Sequence, residues 1–142
     1  MTQPALEDNK ALVRRFIAEV FVGGSFAAVD ELLADDFVPH TWPYSGDGKA
    51  DLKAAMERVS KGLAEPAWTV DDLIAEGDRV VARVTASARH VGPFMGIPAT
   101  NRAYSIGEIH IFRIANGKIA EHRHQYDGLS MMWQLGLLPG MG

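Results

Sequence analysis

The chain has 142 residues, a net charge of -4, 47% hydrophobic and 23% charged residues, and no cysteine. That length and balance suit one folded domain with its own core and exclude a disordered, collagen-like or coiled-coil chain. The missing cysteines exclude a disulfide framework, thiolate metal ligands and a thiol nucleophile, and a charge without long runs of one sign gives nucleic acid or an anionic membrane no basic face to bind.

The N-terminal stretch MTQPALEDNK lacks a basic segment followed by an apolar one. No apolar run approaches the roughly 20 residues of a membrane span. The expectation is a cytoplasmic protein with neither membrane nor nucleic acid as partner. Residues 5–22 carry Leu6, Val13, Phe16, Ile17, Val20 and Phe21 at helical spacing, which predicts an amphipathic first helix ended by Gly23-Gly24. Ser25 is placed to cap a second short helix over 26–34. The segment from Phe37 to Tyr44 holds Pro39 and Pro43 and reads as an aromatic loop. A third helix follows over 50–63, and Glu65-Pro66 stops it.

Beyond Pro66 the period changes to that of strands, over 67–75, 79–90, 103–115 and 118–127. Asn116-Gly117 is a strong signal for a two-residue hairpin, because both residues tolerate positive φ. An apolar tail over 129–138 ends at Pro139 and Gly140. Helices first and strands last give an α+β fold, with three N-terminal helices packed on a curved, mainly antiparallel sheet, and the whole of 1–142 as a single domain.

The stretches GDRVVAR, HVGPFMGIP and FRIANGKIAEH, with the first helix and the His40 loop, resemble the SnoaL-like polyketide cyclase family (ester cyclases) of the nuclear-transport-factor-like superfamily. The likeness covers most of the chain. It implies a cone-shaped barrel around a deep pocket, a homodimer formed through the sheet, intramolecular aldol closure, and no metal or organic cofactor. The family usually carries a second proline and a glycine where this chain has Ala99 and Asn101, and an aromatic residue in place of Arg123.

Pairing Ala115 with Lys118 across the turn sets His110 opposite Arg123, Glu108 opposite Gln125 and Ile106 opposite Asp127. Tyr104, Glu108, His110, Arg123, Gln125 and Asp127 then share a polar pocket floor, while His122, His124 and Tyr126 face the other way. A bulge in the hairpin would reverse this and bring His124 to the pocket face in place of Asp127.

On the first register the family's acid/base aspartate and pocket histidine carry over to Asp127 and His110. Burial would raise the basicity of the carboxylate, and the imidazole would exchange a proton with a substrate oxygen. Asp127 is also placed to cap the tail helix, and His110 to be a hydrogen-bonded core residue. His90 and His40 are candidates for the pocket mouth, with hydrogen bonding to their own loops as the other, favoured reading. Trp42, Trp68, Phe94, Met95, Tyr104 and Trp133 are candidate walls for an aromatic ligand, with core packing as their other use. His122-x-His124 has no third ligand at a diagnostic spacing, so no metal site is expected.

The reading is a cofactor-free cyclase, lyase or isomerase acting on a carbonyl-rich, polyketide-like small molecule. A non-catalytic carrier and an epoxide-opening or hydroxylating relative of the same fold are the alternatives.

Overall fold

In the computed structural model, which describes residues 2–139, helix α1 (Gln3–Phe16) opens on a Thr2 cap that accepts from the Ala5 amide. It buries Val13 and Phe16, then continues as a π-helical segment, Ile17–Val22, that buries Ile17 and Val20. The expected helix over 5–22 is therefore two windings in succession. The wider one sets Phe21 in ring contact with Phe16 at 5.0 Å, Trp68 at 5.4 Å and His110 at 5.5 Å.

Ser25 caps α2 (Phe26–Leu32) by accepting from the Ala28 amide, as the sequence predicts. The helix stops two residues early because Leu33 begins a strand that the sequence reading takes for helix end and loop, β1 (Leu33–Pro39). This strand carries Asp35, Asp36 and Pro39, so it lacks a β-branched run. At a sheet edge such residues are tolerated, with the carboxylates in water and the proline closing the ladder.

Asp47 caps α3 (Gly48–Gly62), whose first residue lies directly against β1. A Cβ on Gly48 would stand 2.0 Å from the Phe37 carbonyl oxygen. Gly48→Ala is therefore expected to cost at least about 2 kcal/mol, since helix and edge strand must separate to admit one methyl group. Thermal denaturation with circular dichroism measures it.

Strand β2 (Leu63–Glu76) starts four residues earlier than predicted. It passes Glu65-Pro66 through an irregularity in which Glu65 takes a φ of 53°. Strands β3 (Arg79–His90), β4 (Ala103–Ala115) and β5 (Lys118–Tyr126) follow, then α4 (Gly128–Gln134). Gly140, expected to help end the tail, lies outside the described residues.

The five strands form one sheet in the order β1-β5-β4-β3-β2, antiparallel except for the β1–β5 pair. The α+β class, the curved mainly antiparallel sheet and its N-terminal helices are as read from the sequence. The core of Phe16, Val29, Leu32, Phe37, Val84, Phe112 and Ile119 lies between helices and sheet. A second cluster, with Ala86, Ile106, Met131 and Leu135, seals the end nearest α4.

The β4–β5 hairpin decides the chemistry. Ala115 pairs with Lys118 and Ile114 with Ile119, but Arg113 pairs with Glu121, so Ala120 is an extra residue on β5. Both Ile119 and Ala120 are buried. From there on His110 pairs with His124 and Glu108 with Tyr126, which corrects the expected pairing of His110 with Arg123 and Glu108 with Gln125.

Candidate active site

A cavity of about 480 Å³ opens between the helices and the concave sheet face, a size suited to a drug-sized ligand. Apolar and aromatic side chains make most of its wall. Phe21 comes from the π-helical segment, Trp42 from the loop after β1, Met56 and Val59 from α3, Trp68 from β2 and Phe94 from the loop after β3. Thr41, Arg58 and Ser60 add polar groups from the loop after β1 and from α3, and the others gather on two strands. Tyr104, Glu108 and His110 come from β4, His124 and Tyr126 from β5.

Glu108 Oε1 lies 2.8 Å from His110 Nε2, and His110 Nδ1 lies 2.8 Å from Nε2 of the fully buried His122. An ionised carboxylate only accepts, so His110 donates through Nε2. Its Nδ1 then accepts, and His122 donates through Nε2. This fixes one direction along the chain Glu108–His110–His122 while all members keep their resting charge.

His124 stands beside it, its ring 5.1 Å from that of His110 and nearly parallel to it. His124 Nδ1 is buried and has no hydrogen-bond partner among the described residues. Burial, then the neighbouring His110, hold the His124 pKa down to about 4, against a smaller raising effect of Glu108. Burial likewise keeps His122 well below its ordinary value, with His110, His124 and His40 adding to the effect. Both rings are neutral at neutral pH. Tyr104 moves the other way, up to about 12, through burial and the nearby Glu108 charge, and so stays a hydrogen-bond donor.

The extra residue in β5 redistributes the candidates. Arg123 and Gln125, expected on the pocket floor, are exposed and pair with Ile111 and Ile109 on the opposite face. Asp127 is exposed and does not line the cavity; its carboxylate caps α4 by accepting from the Ser130 amide at 3.0 Å. His40 also lies outside, paired at 2.9 Å with Glu121. Hydrogen bonds from Arg113 and from His40 bring that carboxyl down to about 2.

His90 is buried rather than at the mouth. Its Nδ1 meets Thr100 Oγ1 at 3.0 Å and accepts from the Thr100 amide, which closes the loop between β3 and β4. In that loop Asn101 takes a φ of 59°, a left-handed conformation that asparagine tolerates better than most residues with a Cβ. Trp133 is exposed on α4 and does not reach the cavity. Trp42, Trp68, Phe94, Met95, Tyr104, Glu108 and His110 do line it.

His122, Tyr126 and Phe21 are the site residues that sequence reasoning missed, and His124 came to the pocket by the bulged register, the second of the two weighed. One signal was present. Ile119-Ala120 are consecutive apolar residues where a strand with one wet face should alternate, and that break in period marks the bulge.

The family profile described as SnoaL-like polyketide cyclase matches residues 11–135. The chain is 45% identical over 129 residues to the aklanonic acid methyl ester cyclase DnrD of Streptomyces peucetius, covering 88% of each chain. It is 40% identical over 123 residues to the nogalonic acid methyl ester cyclase of Streptomyces nogalater, covering 84% of this chain and 92% of that one. The structure of TsrD from Streptomyces laurentii superposes with a TM-score of 0.85 at 34% identity, covering 97% of this chain and 99% of TsrD. By its α+β fold, its mostly apolar cavity and these likenesses in sequence, the chain belongs to the SnoaL-like polyketide cyclase family of enzymes.

Proposed function

We propose that this protein closes a ring in a carbonyl-rich polyketide ester by a cofactor-free intramolecular aldol reaction, with His124 as the base. The observation that carries the reading is a neutral imidazole on the cavity wall, His124, with a ring nitrogen that has no partner among the described residues, set beside the Glu108–His110–His122 chain. The names of the relatives, which act on aklanonic and nogalonic acid methyl esters, support the substrate class.

The step balances without a co-reactant. His124 takes the proton from the carbon between two carbonyls. That carbon then bonds to a second carbonyl carbon, and the alkoxide so formed recovers a proton from the His124 imidazolium. The product is an isomer of the substrate. The Tyr104 hydroxyl, and the Trp42 indole N–H that is buried without a partner among the described residues, supply donors for the oxygen where charge develops. Glu108 orients His110 and balances positive charge forming on the floor.

Purified, chelator-treated protein given aklanonic or nogalonic acid methyl ester tests this by chromatography of the products. Ring closure is the expected result. Tight binding without turnover would replace the enzyme with a carrier. The acid limb of kcat/KM should fall near pH 4 rather than near the ordinary histidine value of about 6.5, because His124 must be deprotonated to accept.

A homodimer and a cytoplasmic location are part of the same proposal. Ile74 and Ile109 are exposed large apolar residues on the sheet strands, and they support a second copy docking there; light scattering reads the mass. No helix among the described residues is long and apolar enough to cross a membrane; cell fractionation reads the location.

A further inference from the structure

We propose that His110, His122 and His124 form a binding site for one divalent transition-metal ion of the zinc, cobalt, nickel or copper class. Two of the three lie two residues apart on β5 and the third sits directly across on β4, so all project from one sheet face. One nitrogen from each lies within 4.8 Å of the others. The ring centroids form a nearly equilateral triangle, 5.1, 5.1 and 5.4 Å on a side, with planes within 11° of parallel.

An ion held by bonds of about 2.0–2.1 Å in tetrahedral geometry needs nitrogens about 3.3 Å apart. His110 Nδ1 and His122 Nε2, now 2.8 Å apart, would spread slightly, the His122 proton would move from Nε2 to Nδ1 so that Nε2 can bind the ion, and His124 would close in.

Two further observations point to a metal. The carboxylate of Glu108 already holds His110 Nε2, the outer-shell partner that a metal-bound imidazole commonly has, and it leaves Nδ1 as the ligand atom. His124 keeps a buried nitrogen with no partner among the described residues. Three imidazoles leave a fourth position facing the cavity, where water or a substrate oxygen fits. An all-nitrogen set disfavours magnesium and calcium, which select oxygen ligands. Occupancy would engage the lone pair that the proposed closure uses, so the metal-free protein is the active form and the loaded one is inhibited.

The test is a titration of chelator-treated protein with Co²⁺, followed by the intense visible absorption of tetrahedral cobalt, and with Zn²⁺ by calorimetry. One ion per chain is expected. His124→Ala should weaken binding at least about 100-fold and Glu108→Gln about 10- to 100-fold, while His40→Ala leaves it unchanged. His122→Gln checks the buried ligand, with circular dichroism to confirm folding. Absence of the cobalt band, or binding unchanged in folded His124→Ala protein, overturns the site. This readout needs no substrate, so a failed metal site and a failed cyclase reading are told apart by whether metal-free protein closes the ring.

Discussion

His124→Ala protein is expected to bind the polyketide ester nearly as well as the parent and to close it about 10²- to 10⁴-fold more slowly, the usual worth of one positioned base. Asp127→Ala should do the reverse. Its carboxylate is exposed and accepts from the Ser130 amide at the start of α4, so its loss costs about 0.5–2 kcal/mol of stability and leaves turnover within a few-fold of the parent. Steady-state kinetics and thermal melts on the two variants decide between these carboxylate and imidazole roles. Equal turnover in His124→Ala and parent protein would return the search for the base to Glu108 and His110. A collapse of turnover in stable Asp127→Ala protein would mean that the carboxylate turns inward when substrate binds.

Inserting one alanine after Ala120 is expected to have the largest structural effect of any single change in the sheet. One extra residue in β5 keeps His122 and His124 inside and Glu121, Arg123 and Gln125 outside. With a second residue added and a bulge that takes up only one, the alternation of everything from Glu121 to Tyr126 reverses, which drives two charged side chains toward the core and takes the histidines out. Burying a charge without its partner costs roughly 3–5 kcal/mol, a large part of the 5–15 kcal/mol by which a typical domain is stable. The insertion variant should therefore be unfolded or molten, with no ring closure, whereas deleting Ala120 removes the bulge, keeps Arg113 opposite Glu121 and His110 opposite His124, and should stay folded. Near-ultraviolet circular dichroism separates the two.

Most of the fold was legible because periodicity and capping are local. The Ser25 cap, the helical apolar stripes and the Asn116-Gly117 turn each stand in a few consecutive residues. What was not legible depends on partners far away in sequence. β1 is a strand only because β5 lies beside it, in a parallel pairing that its Asp35, Asp36 and Pro39 do not announce. The site shows the same division. His110, Glu108, Tyr104 and the aromatic walls follow from the period of β4 and from composition. His124 depends on a one-residue irregularity that changes no helix or strand assignment yet exchanges the two faces of a strand.

The π-helical segment has a consequence for how the cavity changes when it fills. A π turn holds one residue more than an α turn needs, and here that slack sits beside Gly23-Gly24, with Phe21 resting on Trp68 and His110. A ligand that displaces Phe21 can be accommodated by rewinding the segment to an α turn and feeding one residue into the glycine pair, whose Gly24 already has a positive φ of 65°. The cavity can thereby lengthen by a peptide unit while the sheet stays still. Amide exchange along 20–24 on substrate addition would register this sliding of one residue as a change in protection confined to the helix end.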